Sequence, residues 1–474
     1  MLGIKLGYKM PKELTEKVIE NGYDNLSDEE KVQLTQLMLK CYPEISKSMY
    51  NGFNTENKKE FINEVVEGKF YDRYKELTKA IDSTFNSIVF SAQHSAFKEY
   101  FQELFSKKYD AIVVFHASFG WNIDLKQRPQ HLAEAISDEN ILYIYRTDAH
   151  QDRDIFAIEK VKENLYLVNL DMYSLNVAFF EALEAVKKPK FIHAYATCLY
   201  DVPYEKIEFY MNKGFKVIYD FVDEISSDIS GVEVSKQMIK DHEKLLKDKE
   251  NVIVVSTAKK LKMIAEEVRG TSQNSILAPN AVNIKDFDVS LVEVPTKMKK
   301  ITTKGKPIIG YYGALASWFD YNKMIKLAKE RPEYEIVLIG INYDKTYDKS
   351  GLDDLDNVNY LGIVPYEKLK SYSCCFDVCL VPFIKNDITD STSPVKIFEY
   401  MALGKPIVTT DINECKLYKS CKIAYNDDQF IQEIDYAIRV LANDDRYKGI
   451  LAKEAEENTW SHRAKEIKEA MKNI

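Results

Sequence analysis

The chain has 474 residues, 45% hydrophobic and 29% charged, enough for two or three globular domains. Its 65 basic residues against 74 acidic ones leave a net charge of −9, which argues against a broad polyanion-binding surface, so no nucleic-acid partner is expected, although a local basic groove stays open. No apolar run approaches a membrane span, Met1-Leu2-Gly3-Ile4-Lys5 lacks a signal-peptide core, and the seven cysteines show no metal-type spacing, so a cytoplasmic protein with reduced thiols is expected.

In chain order, residues 1–106 carry helical spacing, as in Glu29-Lys31-Val32-Leu34-Leu37-Met38 and Phe97-Tyr100-Phe101-Leu104-Phe105, and predict four or five helices. Such a region could be a docking module for a membrane face or a protein partner, a cap over an acceptor site, or a buttress. From Tyr109 the pattern changes to short apolar runs separated by amphipathic helices. The runs are Ala111–Phe115, Ile141–Tyr145, Phe191–Ala194, Val217–Asp220 and Val252–Val255, the mark of a parallel sheet covered on both faces. Asp286 to Lys306, polar and containing Pro295, reads as a linker. The pattern then restarts with Pro307–Tyr311, Glu335–Ile339, Val358–Leu361, Val378–Val381 and Ile407–Thr409. The expected fold is therefore α/β, with two Rossmann-like domains (107–290 and 300–455) facing a cleft, a helical region before them (1–106) and a closing helix (456–474). Ligands of such sheets bind beyond the carboxyl ends of the strands.

One segment carries the clearest chemistry. Ser393 to Leu403 reads as a short helix with Ser393 as N-cap, Pro394 at the first helical position and Gly404 as the left-handed residue past its end. Ile397, Phe398, Met401 and Ala402 form its apolar stripe, while Lys396, Glu399 and Tyr400 share another face. The start of this helix, Ser393-Pro394-Val395-Lys396, offers free N–H groups, a positive dipole end and an ammonium, which suit a phosphate. Glu399 can accept hydrogen bonds from sugar hydroxyls. A solvated surface pair of Lys396 and Glu399 is the plainer alternative. Gly313 lets the backbone pass close to a ligand and Ser317 could add a hydroxyl, though tight turning explains the glycine equally well. Trp121 could stack on a sugar, and Arg128 near a helix start could bind an anionic acceptor group or the phosphates. His193, Asp220 and Asp223-Glu224 sit at strand ends, where a titratable group could take a proton from the acceptor hydroxyl or orient the acceptor.

The run 393–406, with Gly310-Tyr311-Tyr312-Gly313-Ala314-Leu315-Ala316-Ser317-Trp318 and Asn386-Asp387-Ile388-Thr389-Asp390-Ser391, resembles the donor site of GT-B glycosyltransferases of the retaining family 4 type, in particular bacterial surface-polysaccharide enzymes of the teichuronic acid kind. The resemblance covers most of 110–470. It implies a nucleotide-sugar donor, expected to be UDP-linked and a co-substrate rather than a cofactor, a saccharide or lipid-linked acceptor, no essential metal, and a place in the cytoplasm that could be peripheral at the inner membrane face. It also implies that the turn Leu361-Gly362-Ile363-Val364-Pro365-Tyr366 cradles the base, that His193 lines the donor sugar, and that Asp220 and Asp223 belong to a recurrent family motif. Gln127-Arg128-Pro129-Gln130-His131-Leu132 resembles the opening helix of the same enzymes. Two departures stand out. No basic residue lies between Gly313 and Asn322, where relatives neutralise the diphosphate, so the charge falls to Lys396. In the family's Glu-x7-Glu pattern Glu399 takes the second place but Ser391 stands in the first, which leaves retention or inversion open. A nucleotide-sugar epimerase and a non-catalytic sugar-nucleotide or glycan-binding subunit are the alternatives to a transferase.

Overall fold

The computed structural model describes residues 83–123, 126–226 and 233–474, with a few isolated positions before residue 83. Most of the helices expected in 1–106 lie outside the described residues. The elements are α1 (Ser83–Ser106), β1 (Ala111–Phe115), α2 (Arg128–Asp138), β2 (Ile141–Arg146), β3 (Ile158–Lys162), β4 (Leu165–Val168), α3 (Tyr173–Glu184), β5 (Lys190–Tyr195), α4 (Tyr204–Asn212), β6 (Lys216–Phe221), α5 (Lys236–Lys247), β7 (Val252–Ser256), α6 (Lys259–Arg269) and β8 (Ser275–Leu277). They continue with α7 (Thr296–Thr302), β9 (Ile308–Tyr312), α8 (Tyr321–Glu330), β10 (Glu335–Ile339), β11 (Val358–Tyr360), α9 (Tyr366–Ser373), β12 (Val378–Val381), α10 (Val395–Ala402), β13 (Ile407–Thr410), β14 (Cys421–Ala424), α11 (Asp427–Arg439), α12 (Asp445–Glu457) and α13 (Trp460–Lys472).

Packing groups these elements into two compact units. One takes in the described residues up to Asp110 together with Ile144–Lys188. There α1 lies on α3 through buried Phe97, Phe101, Leu104 and Phe105, with the Phe101 and Phe179 rings edge to face at 5.1 Å. β3 and β4 form an antiparallel hairpin, turned at Asn164, whose φ of 61° suits an asparagine.

The other unit comprises Ala111–Tyr143 and Pro189–Ile474 and holds two sheets. The first has the strand order β1-β5-β6-β7-β8, all parallel. The second has the order β11-β10-β9-β12-β13-β14 and is parallel throughout. Val and Ile dominate β7 and β10 because both faces of such sheets are covered by helices. In the second sheet the strand order reverses between β9 and β12, the switch point of the kind at which open α/β sheets bind ligands, beyond the carboxyl ends of the strands. The loops that leave them there are Gly313–Asp320 and Pro382–Ser391.

The stretch expected to be an open linker is partly helical. Ile284–Phe287 forms a 3-10 turn, and α7 buries Met298 and Ile301 in the core of the second sheet while its lysines stay outside. Beside it, Val282 pairs with the start of α13: Trp460 N donates to Val282 O (3.2 Å) and Val282 N to Asn458 O (3.1 Å). This directs Trp460 onto α2, where its ring stacks on His131 at 5.0 Å and 6°. Burial holds the His131 imidazole well below its usual pKa, so the stacked ring is neutral.

Candidate functional site

The site is built from the carboxyl ends of β9 and β12. After Tyr312 the chain turns at Gly313, whose φ is +138°. The left-handed φ favours glycine, and a Cβ there would stand 2.9 Å from Lys396 Cε and 3.1 Å from the Tyr311 hydroxyl, so a side chain would displace the lysine tip. The Tyr311 hydroxyl donates to Ala314 O (2.8 Å) and fixes the turn.

Helix α10 begins beside it. Pro394, rather than Ser393, occupies the N-cap position, and no side chain caps the helix. The Ser393 hydroxyl is drawn away because it accepts from Asn280 N (3.3 Å), while Asn280 Nδ2 donates to Ser393 O (2.6 Å). The N–H groups of Val395 and Lys396 are therefore left without a side-chain acceptor among the described residues, and they point out of the helix start together with its dipole. The other end closes as read from the sequence. Gly404 has φ +67°, its N–H donates to Met401 O (3.0 Å), and Lys405 N donates to Tyr400 O (3.1 Å), a Schellman closure. Tyr400 turns into the core rather than onto the Lys396 face: its hydroxyl accepts from Tyr312 N (3.3 Å), which pins α10 to the end of β9.

Lys396 is partly exposed, and its ammonium lies 4.8 Å from the Phe383 ring centre and 5.2 Å from that of Tyr311. It makes no ion pair among the described residues. Burial lowers its pKa to about 8, a fall that the charge of Glu399 partly offsets. Glu399 is buried, which pushes its carboxyl up to about 7 against the opposing pull of the Tyr312 hydroxyl and Lys396. The cationic charge that the Gly313–Asn322 loop lacks is not restored by the next basic residue. Lys323 is buried in ion pairs with Asp427 and with Asp320 (3.6 Å).

The first sheet contributes the opposite wall. Arg128, at the start of α2, grips Asp220 at the end of β6, with Nε 2.8 Å from Oδ2 and Nη2 2.9 Å from Oδ1. Its Nη1 reaches Pro279 O and Asn280 Oδ1, each at 3.3 Å. His193 lies behind the pair, with Nδ1 2.7 Å from the Tyr143 hydroxyl and Nε2 3.4 Å from Asp220 Oδ2. Both His193 and Asp220 are 0% exposed. Burial alone would raise the Asp220 carboxyl, but Arg128 and His193 outweigh it and hold the group below the ordinary aspartate range. In this arrangement Arg128 braces Asp220 and Asn280 instead of presenting its guanidinium to an acceptor, and neither His193 nor Asp220 faces open space. Asp223 differs. It is partly exposed, accepts from the Thr392 hydroxyl (3.2 Å), and burial pushes its carboxyl up to about 7.

The structure thus gathers Gly313, Val395, Lys396 and Glu399 around one helix start and brings Asp223 to the adjoining Ser391–Thr392 segment. Ser317 is exposed, its N–H donating to Asp344 Oδ2 (2.8 Å). Ile363 is exposed on the turn after β11, and Trp121 is half-buried on the loop after β1. Sequence reasoning missed Asn280, the link from the Arg128–Asp220 pair to Ser393; a single asparagine beyond a short strand gave no signal.

Residues 306–443, which hold the second sheet and α10, match the family model for glycosyl transferases group 1. The chain has the GT-B fold. It is 23% identical over 258 residues to the putative teichuronic acid biosynthesis glycosyltransferase TuaH of Bacillus subtilis, a match covering 52% of this chain and 64% of that protein's length. Among solved structures, sucrose-phosphate synthase from Thermosynechococcus elongatus is similar with a TM-score of 0.53 at 15% identity, over 77% of this chain and 98% of that one. Anabaena HepE in complex with UDP-glucose gives 0.54 at 12% identity, over 77% of this chain and 100% of the other.

Proposed function

We propose that this protein transfers a sugar from a UDP-sugar to a hydroxyl of a saccharide or lipid-linked acceptor in surface polysaccharide or glycoconjugate assembly. One observation carries the reading: Lys396, an ammonium that makes no ion pair among the described residues, stands beside the uncapped start of α10. A diphosphate supplies the missing negative charge and takes up the free N–H groups. The UDP-glucose bound to HepE agrees with this class of donor, and the name of TuaH agrees with glycosyl transfer in polymer assembly.

In the reaction the bond between sugar C1 and the β-phosphate oxygen breaks, and a bond forms from C1 to the acceptor oxygen. Charge grows on the departing diphosphate, where Lys396 and the helix dipole are already oriented to receive it. This scheme asks for no metal. Asp223, with a carboxyl near neutrality and part of its surface open, takes the acceptor proton. Glu399 receives ribose hydroxyls. Among the described residues no helix is long and apolar enough to cross a membrane.

The test is UDP release from a panel of UDP-sugars, with and without saccharide and lipid-linked acceptors. Acceptor-dependent release supports transfer. Donor interconversion without an acceptor would mark an epimerase, and binding without turnover a non-catalytic subunit.

A further inference from the structure

Just past β6, Glu224 is held in an unusual way. Its Oε1 lies 2.6 Å from the Ser391 hydroxyl and 2.8 Å from the Lys260 ammonium, at the start of α6. Its Oε2 has no partner among the described residues, and the side chain remains 31% exposed. Two donors on one oxygen fix the carboxylate and leave the other oxygen presented. Burial would raise its pKa, but Lys260 and Ser391 outweigh burial and keep the group ionised.

We infer that Glu224 Oε2 accepts a hydrogen bond from a hydroxyl of the donor sugar, making Glu224 a specificity-determining residue contributed by the first sheet. The inference rests on the donor site proposed above. Ser391 precedes Val395 by four residues, a span of at most ~14 Å, so a sugar attached to a diphosphate at the α10 start lies within reach of the carboxylate that Ser391 holds. The charge of Glu224 excludes the phosphate itself as its ligand, and Lys260 already satisfies its need for a cation. What remains for the free oxygen is a neutral donor, and a hexosyl group offers several O–H groups. Ser391 then acts as a positioning residue. Its short hydroxyl leaves space for a carboxylate that arrives from a position 167 residues away in the chain.

A structural brace between the sheets is the competing role, and calorimetry separates the two. UDP, UDP-glucose, UDP-galactose and UDP-N-acetylglucosamine are titrated into the unmodified protein, Glu224→Gln, Glu224→Asp and the exchanged pair Glu224→Ser with Ser391→Glu. The unmodified protein should bind one UDP-sugar more tightly than UDP. Glu224→Gln should lose about tenfold or more of that gain, the scale of one charged hydrogen bond, with UDP affinity unchanged. Glu224→Asp, which keeps the charge beside Lys260 but shortens the reach, should lose the gain as well, and the exchanged pair should recover part of it. Equal loss for UDP and UDP-sugar, no loss, or no sugar-dependent gain in the unmodified protein would overturn the inference alone. Failure of the unmodified protein to bind any of the four ligands would overturn the donor site and the inference with it.

Discussion

Raising the pH should weaken UDP binding through Lys396 while it strengthens the unliganded fold. The free protein holds the Lys396 ammonium at a pKa of about 8. At pH 7 about nine-tenths of the molecules carry the charge and at pH 9 about one-tenth, so affinity for UDP should fall about tenfold, or about 1.4 kcal/mol, across that window. The diphosphate favours the ammonium, so binding between pH 8 and 9 should draw in a proton. Calorimetry in two buffers of different ionisation enthalpy measures that uptake. Folding responds with the opposite sign. Because the native lysine binds fewer protons than the unfolded one between pH 8 and its ordinary value of 10.5, this residue adds stability as pH rises through that range. Lys396→Arg, always charged, should flatten the pH dependence of binding. A pH-independent affinity in the unmodified protein with no proton uptake would refute the assignment of Lys396 to the diphosphate.

Three other outcomes follow from the packing. Arg128→Ala leaves the fully buried Asp220 carboxylate without its main partner and should cost about 3–5 kcal/mol in denaturant unfolding; near-normal stability would show that the pair is no brace. Gly313→Ala places a Cβ 2.9 Å from Lys396 Cε and should weaken UDP binding about tenfold, the loss of about one charged hydrogen bond, with secondary structure retained by circular dichroism; unchanged affinity would separate Gly313 from the site. The Asp223 carboxyl, raised to about 7, favours the folded state while protonated, and that contribution is lost as pH rises through 7. The melting temperature of Asp223→Asn should therefore fall less between pH 6 and 8 than that of the unmodified protein, the remaining fall coming from the Glu399 carboxyl, and parallel curves would contradict this.

Much of the fold was legible because buried parallel strands announce themselves. Glu335–Ile339 and Val378–Val381 have the bounds read from their apolar runs. β3 was missed because Ile-Glu-Lys-Val-Lys exposes its charged residues in an antiparallel hairpin, and β8 because three residues make too short a run. α7 was hidden among lysines, with only Met298 and Ile301 to bury. At the site, the segment from Pro394 to Gly404 could be read because caps and stripes are local. Ser393 was misassigned as a cap since Asn280, 113 residues earlier, takes its hydroxyl. The contacts of Arg128 with Asp220, Thr392 with Asp223 and Ser391 with Glu224 are likewise long-range, and no local spacing encodes them.

The proposed chemistry depends on the start of α10 holding the donor diphosphate. Its most direct test is calorimetric titration of UDP into the unmodified protein and into folded Lys396→Ala and Glu399→Ala. Binding should be measurable, should weaken about ten- to a hundredfold without the ammonium, the scale of one charged hydrogen bond, and should also weaken without the Glu399 carboxylate. Binding of equal strength in all three proteins would contradict it.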